Sequence, residues 1–177
     1  MNLLPSRIEL LHPMIVHFPI ALLLTGAFAR LLYFFAGNKK WADHLRVIYL
    51  WSLFFGFIGL IGAFLSGDEA EGVVNKIICD PTITNDHEDY AKLTMIACGV
   101  TLSLAASQPI FQTEWFKSRV KTSSTVFLSW LHPYLKVLEV VVLVITLGLL
   151  VYSSHLGGTL VYEQGAAYLT TPNENCE

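Results

Sequence analysis

Four long apolar stretches separated by shorter polar links run through this chain of 177 residues. They lie at approximately residues 14–36, 47–65, 93–111 and 140–162. An α-helix needs about 20 apolar residues to cross a bilayer, and each stretch is close to that length. We therefore predict an all-α fold, an integral membrane four-helix bundle that forms a single domain over residues 1–177. Residues 163–177 are expected to form a polar outer tail.

The composition agrees with a chain that lies in lipid. Hydrophobic residues make up 54% of the sequence and charged residues only 14%, whereas soluble domains carry about 25% charged residues. The net charge of −3 does not suggest nucleic acid as a partner. The lipid bilayer is the first partner that the sequence predicts.

The charges are unevenly distributed among the links. The link between spans one and two and the link between spans three and four are basic, whereas the link between spans two and three is acidic. Basic links tend to stay in the cytoplasm, so we expect both termini and the acidic link to face the periplasm. Residues 112–132 mix basic, polar and aromatic side chains, which favours an interfacial segment between spans three and four.

Prolines and glycines mark several helix positions. His12 stands at a helix cap before Pro13, Pro19 bends the first helix, and Gly67 is predicted to end the second. Small residues line one stripe of span two. The stripe fits either close helix packing or a flat cofactor lying against it. Its members are Gly56, Gly59, Gly62, Ala63 and Ser66.

The parity of the spans brings distant polar residues to one membrane face. Spans one and three begin at the outer face, and spans two and four end there. Six polar side chains are therefore expected to be able to meet at that face: His12, His17, Asp68, His87, Glu88 and His155.

Two kinds of site would use such a set. Facing histidines of a four-helix bundle can hold a haem iron, which predicts His17 with His87 or His155 as axial ligands and Gly59 beside the macrocycle. Alternatively, histidines and carboxylates suit a divalent metal ion. The residues for that alternative are His17, His87, His155, Asp68 and Glu88. A cofactor-free structural subunit of a larger membrane complex is the third hypothesis. No recognisable nucleophile motif is present, and whether the protein is an enzyme stays open.

Two further residue pairings are predicted. Glu139, inside span four, can pair with Lys136 or, across the bundle, with Arg30 or Arg46. Cys79 and Cys176 fall on the same side, and the sequence leaves open whether they form a disulfide.

Two motifs resemble the signature ends of a bacterial four-helix "predicted membrane protein" domain of unknown function. They are His12-Pro13 with Val16-His17-Phe18-Pro19-Ile20-Ala21-Leu22, and His155-Leu156-Gly157-Gly158 with Val161-Tyr162 and Gly165. The resemblance implies a bacterial inner membrane and an architecture similar to small b-type cytochromes, some joined to c-type cytochrome domains. It points to His17 and His155 first and to His87 next. The cysteine-containing tail has no counterpart in that pattern.

The leading hypothesis from the sequence is thus a membrane protein that carries haem b. It would transfer electrons between the quinone pool and a periplasmic carrier, such as a c-type cytochrome, or a partner subunit. The number of haems or metal ions, the redox partner and the oligomeric state do not follow from the sequence.

Overall fold

A computed structural model describes residues 8–37, 39–112, 122–166 and 168 of the chain. A short 3-10 turn at Ile8–Leu10 leads into helix α1, and no strand occurs in these residues. The helices are α1 (Leu11–Ala36), α2 (Ala42–Val74), α3 (Thr82–Gln112) and α4 (Thr122–Tyr162). The predicted all-α, four-helix architecture is confirmed.

Each helix contains a stretch long and apolar enough to cross a membrane. These stretches are Leu11–Ala36, Ala42–Val74, Thr82–Gln108 and Trp130–Tyr162. Large apolar side chains also cover the outside of the bundle, as expected where lipid is the solvent. Examples at least half exposed are Phe28, Phe34, Phe35, Val144 and Val151.

The helices run further than the apolar stretches of the sequence. The prediction that Gly67 ends α2 is wrong: the helix continues to Val74, because Ala70 and Val74 bury a further face of it. Helix α4 already begins at Thr122, so its Pro133 lies inside a helix and part of the predicted interfacial segment is helical. Residues 113–121 of that segment lie outside the described residues.

Two antiparallel hairpins make up the bundle. Helix α1 packs along α2, helix α3 packs along α4, and the hairpins meet mainly between α2 and α3. Glycines allow the first hairpin to close tightly: a Cβ at Gly56 would lie 3.1 Å from Leu23 Cδ2. The central core contains Leu23, Tyr49, Leu53, Cys98, Leu143 and Leu150.

A buried ion pair joins the two hairpins. Arg30 of α1 donates from Nε to Glu139 Oε1 at 3.1 Å and from Nη2 to Glu139 Oε2 at 2.9 Å. The Tyr49 hydroxyl donates to the same carboxylate, and Gln108 Nε2 lies 3.4 Å from it. The Glu139 side chain is only 1% exposed, so these donors replace the water it has lost. Of the three partners predicted for Glu139, the structure selects Arg30.

The α2–α3 link is fastened to the end of α4. Gln164 Oε1 accepts hydrogen bonds from the backbone N–H groups of Cys79 at 3.2 Å and Asp80 at 3.3 Å. The Thr82 hydroxyl and backbone N–H donate to Asp80, which lowers the pKa of this carboxyl. Cys79 is disulfide-bonded and Cys98 is a free thiol. Cys176 lies outside the described residues, so a Cys79–Cys176 pairing stays a prediction.

Candidate functional site: two imidazoles in a cavity of the bundle

A cavity of about 470 Å³ opens at one end of the bundle. We call this the cavity end: α1 and α3 begin there, and α2 and α4 end there. All four helices line the cavity, and most of its wall is apolar. Its histidine and carboxylate side chains are Glu9, His12, His17, Asp68, Glu71, His87 and Glu88.

His12 of α1 reaches across to helix α2. Its Nδ1 atom lies 2.8 Å from the carbonyl oxygen of Ala63 and 3.3 Å from Ser66 Oγ. The prediction that His12 caps a helix is wrong, because α1 begins at Leu11 and Leu10 makes no side-chain cap. The ring instead fills the space beside Gly67, where a Cβ would lie 3.1 Å from His12 Cε1.

His87 of α3 makes the corresponding contacts with helix α4. Its Nδ1 atom lies 2.9 Å from the carbonyl oxygen of Ser153. A Cβ at Gly157 would lie 3.1 Å from His87 Cε1. Both histidines are partly buried. Within its own hairpin, each ring makes a hydrogen bond to a backbone carbonyl and packs against a glycine.

The two hairpins therefore repeat one arrangement. In each, a histidine near the start of the first helix bonds a carbonyl of the second helix. The glycine that receives the ring follows that carbonyl residue by one helical turn, since Gly67 follows Ala63 and Gly157 follows Ser153 by four positions. The sequence shows no long repeat, so this local similarity is visible only in the structure.

The repeated arrangement brings the two rings together. The centroids of His12 and His87 lie 6.0 Å apart, and the ring planes are at 83° to each other. A carbonyl oxygen only accepts hydrogen bonds, so each Nδ1 carries the proton and each Nε2 keeps its lone pair. Metal-binding histidines usually have this form, with the second nitrogen donating to a carbonyl or carboxylate.

The other predicted ligand histidines lie differently. His17 lines the cavity, but its exposed ring bonds Pro13, the residue one turn earlier, with Nδ1 2.5 Å from that carbonyl oxygen. His155 is exposed and is not among the residues that line the cavity. Gly59 packs against α1, because a Cβ there would lie 3.0 Å from Pro19 Cβ. Cofactor or metal binding by these three residues stays a prediction.

Three carboxylates meet in the same cavity. Asp68 and Glu71 of α2 and Glu88 of α3 each have an oxygen within 4.8 Å of the others. Lys92 Nζ lies 3.0 Å from Glu88 Oε1, and Asn75 Nδ2 donates to Glu71 Oε1 at 3.1 Å. Two of the three carboxylates, Asp68 and Glu88, were among the predicted metal ligands, and the structure adds Glu71.

The structure places five of the six side chains that were expected to converge in the wall of this cavity, and His155 is the exception. His12 was included in the converging set but not among the ligands, because the neighbouring Pro13 favoured a capping role. Glu71 lies beyond the apolar stretch of span two, where the helix was expected to have ended. The i, i+3 spacing of Asp68 and Glu71 would have placed them on one face, had α2 been continued through Gly67.

Comparison with known proteins gives a family for the chain. The model of a family described as "Predicted membrane protein (DUF2231)" matches residues 9–169. No curated protein and no solved structure matches the chain.

Proposed function

Because this chain belongs to the DUF2231 family of predicted membrane proteins, whose description states no activity, we propose its function from the site itself. We propose that the protein is a b-type haem protein in which His12 and His87 would hold the haem iron. This differs from the sequence-based hypothesis in one ligand: His12 replaces His17, and His87 is retained.

The spacing of the rings is the observation that carries the proposal. A metal–imidazole bond is about 2 Å long, so two imidazoles on opposite sides of one ion have ring centres roughly 6 Å apart. The observed separation of 6.0 Å agrees with that value. The hydrogen bonds from Nδ1 to Ala63 and Ser153 leave both Nε2 atoms for the metal.

The surroundings of the two rings also suit a haem. Ligand cavities usually measure about 300–1,000 Å³ and have mostly apolar walls. This cavity has a volume of about 470 Å³, and its wall is mostly apolar. The wall includes Val16, Ile20, Leu60, Phe64, Leu150 and Val161. An apolar wall excludes water from the metal and contributes to setting its reduction potential.

The chain's own residues would hold and orient the group, which itself supplies one-electron transfer when bound. His12 and His87 would hold the iron, and the carbonyls of Ala63 and Ser153 fix the tautomer and rotation of each ring. Gly67 and Gly157 give the rings room to lie against α2 and α4. We propose that the cavity end faces the periplasm, since the basic links lie at the opposite end. Electrons would then pass between a membrane quinone and a carrier or partner subunit at that side.

The first experiment is an absorption spectrum of the protein purified from haem-replete membranes. We expect a Soret band, a reduced-minus-oxidised spectrum of a low-spin b-type haem, and about one haem per chain by the pyridine haemochrome assay. A colourless protein without stoichiometric iron, from cells shown to load another b-type cytochrome, would overturn the proposal.

A second candidate is a single transition-metal ion between the same two imidazoles. The observation that favours it is the presence of carboxylates, among them Asp68 and Glu88, in the wall of the cavity. Imidazole with carboxylate is a common ligand set for zinc, iron and copper. Elemental analysis separates the two candidates, because this one predicts about one metal ion per chain without a Soret band.

A further inference from the structure

The similarity of the two hairpins extends well beyond the histidine contacts, although few of the matching residues are identical. Residues of α3 lie 75 positions after their equivalents in α1, as His87 does after His12. Residues of α4 lie 90 positions after their equivalents in α2, as Ser153 does after Ala63. Buried positions follow the same two offsets. Examples are Leu23 with Cys98, Leu53 with Leu143, and Ala70 with Leu160.

The wall of the cavity is also built from equivalent residues. Most of the residues that line it fall into pairs, with one member in each hairpin. Examples are Leu60 with Leu150, Pro19 with Thr94, and Val16 with Ala91. In both hairpins the first helix begins at the cavity end and the second helix ends there. A two-fold axis that relates the hairpins must therefore run along the bundle.

A contact deep in the bundle places the two rings at one height. Tyr49 and Glu139 are equivalent residues, and the Tyr49 hydroxyl donates to Glu139. Ala63 and Ser153 each follow by 14 positions on helices that run towards the cavity end. At 1.5 Å per residue, both carbonyls lie about 21 Å from that contact. The line between the rings that they hold therefore crosses the bundle at nearly a right angle to its axis.

The two-fold relation is approximate. The hairpins come closer between α2 and α3 than between α1 and α4. The short link between α2 and α3 holds these two helices together, and Gly99 of α3 admits the ring of Phe57. A Cβ at Gly99 would lie 3.2 Å from Phe57 Cε2, whereas the equivalent residue of α1 is the larger Leu24. Both histidine rings nevertheless keep equivalent contacts.

We propose that the haem stands upright on this approximate two-fold axis, with its plane along the bundle and perpendicular to the membrane. This inference rests on the proposed function. An iron held between His12 and His87 lies on the line that joins the rings, and the macrocycle is perpendicular to that line. Since the line crosses the bundle at nearly a right angle, the macrocycle contains the bundle axis. Each hairpin then covers one face of the haem.

The upright position has a consequence for electron transfer. One edge of the macrocycle faces the open end of the cavity, while both of its faces are covered by an imidazole and a hairpin. A carrier that docks at the cavity end would meet the conjugated edge without entering the membrane. A haem lying flat would instead present a face that one imidazole blocks.

The test is electron paramagnetic resonance of the ferric full chain in oriented membrane multilayers. The largest g value of a low-spin haem with two imidazole ligands lies along the haem normal. We expect this signal to be strongest when the magnetic field lies in the membrane plane. A signal strongest with the field along the membrane normal, at full haem occupancy, would overturn the upright haem alone. A protein without haem would overturn this inference and the proposed function together.

Equivalent residues of the cavity wall give a second readout. Leu60→Ala and Leu150→Ala should shift the haem midpoint potential in the same direction and by amounts within about a factor of two. Leu147 is a matched control on α4, because it packs against the core but does not line the cavity. Leu147→Ala should shift the potential less than either. Shifts in opposite directions, or an equal shift in the control, would overturn the placement on the axis.

Discussion

Arg30 of α1 and Glu139 of α4 form a two-point ion pair that joins the two hairpins inside the bundle. A buried charge that loses its partner typically costs about 3–5 kcal/mol. We predict that Arg30→Met lowers the free energy of unfolding by about that amount, because Glu139 keeps only Tyr49 and Gln108. Denaturant unfolding of the purified protein, followed by circular dichroism, measures the change.

Two further variants show whether the loss comes from the unpaired charge. The sequence also predicts Lys136 as a possible partner of Glu139, but its side chain is exposed. Lys136→Met should therefore keep the free energy of unfolding within about 0.5 kcal/mol of the wild-type value. The double variant Arg30→Met with Glu139→Leu should be more stable than Arg30→Met alone. The explanation would be contradicted if the double variant lost as much free energy of unfolding as the single variants Arg30→Met and Glu139→Leu lose together.

The glycines beside the two rings should control cofactor binding. Gly67→Ala and Gly157→Ala each add a Cβ about 3.1 Å from a histidine Cε1, so the ring must shift slightly from its present position. We predict lower haem occupancy and a shifted midpoint potential for both variants. Haem per chain and a redox titration measure these two effects.

Matched glycines occur on the same helices. A Cβ at Gly72 of α2 or at Gly148 of α4 would meet nothing within 4 Å, and neither glycine lines the cavity. Gly72→Ala and Gly148→Ala should keep full haem occupancy and gain up to about 1 kcal/mol of helix stability. If all four alanine variants retain the wild-type spectrum and potential, the two ring contacts are not important for the site.

The pairing of the cysteines predicts how many of them react with an alkylating reagent. Cys98 is a free, buried thiol and Cys79 is disulfide-bonded, and the sequence suggests Cys176 as the partner of Cys79. The chain holds 3 cysteines. Alkylation of the denatured protein should therefore label one cysteine before reduction and all of them after it, by intact mass. Labelling of more than one cysteine without reductant would contradict the intramolecular pairing.

Much of the fold follows from the sequence, because the length and spacing of apolar stretches determine how many helices can cross a bilayer. Because successive helices run in opposite directions, the sequence also predicts that His12, His87, Asp68 and Glu88 lie at one end of the bundle. The direction in which each side chain points does not follow, since these helices are apolar nearly all round. His12 and His17 are five residues apart and point about 140° away from each other. Hydropathy cannot choose between them, and only the packing of α1 on α2 does.

The most direct test of the central claim is a comparison of haem content among four single variants: His12→Ala, His87→Ala, His17→Ala and His155→Ala. Each is purified in detergent, checked for helicity by circular dichroism, and measured by its reduced-minus-oxidised spectrum and haem per chain. We predict that His12→Ala and His87→Ala lose the low-spin spectrum, whereas His17→Ala and His155→Ala keep it at wild-type occupancy. Retention of the spectrum by folded His12→Ala and His87→Ala, with loss in His17→Ala or His155→Ala, would contradict the account.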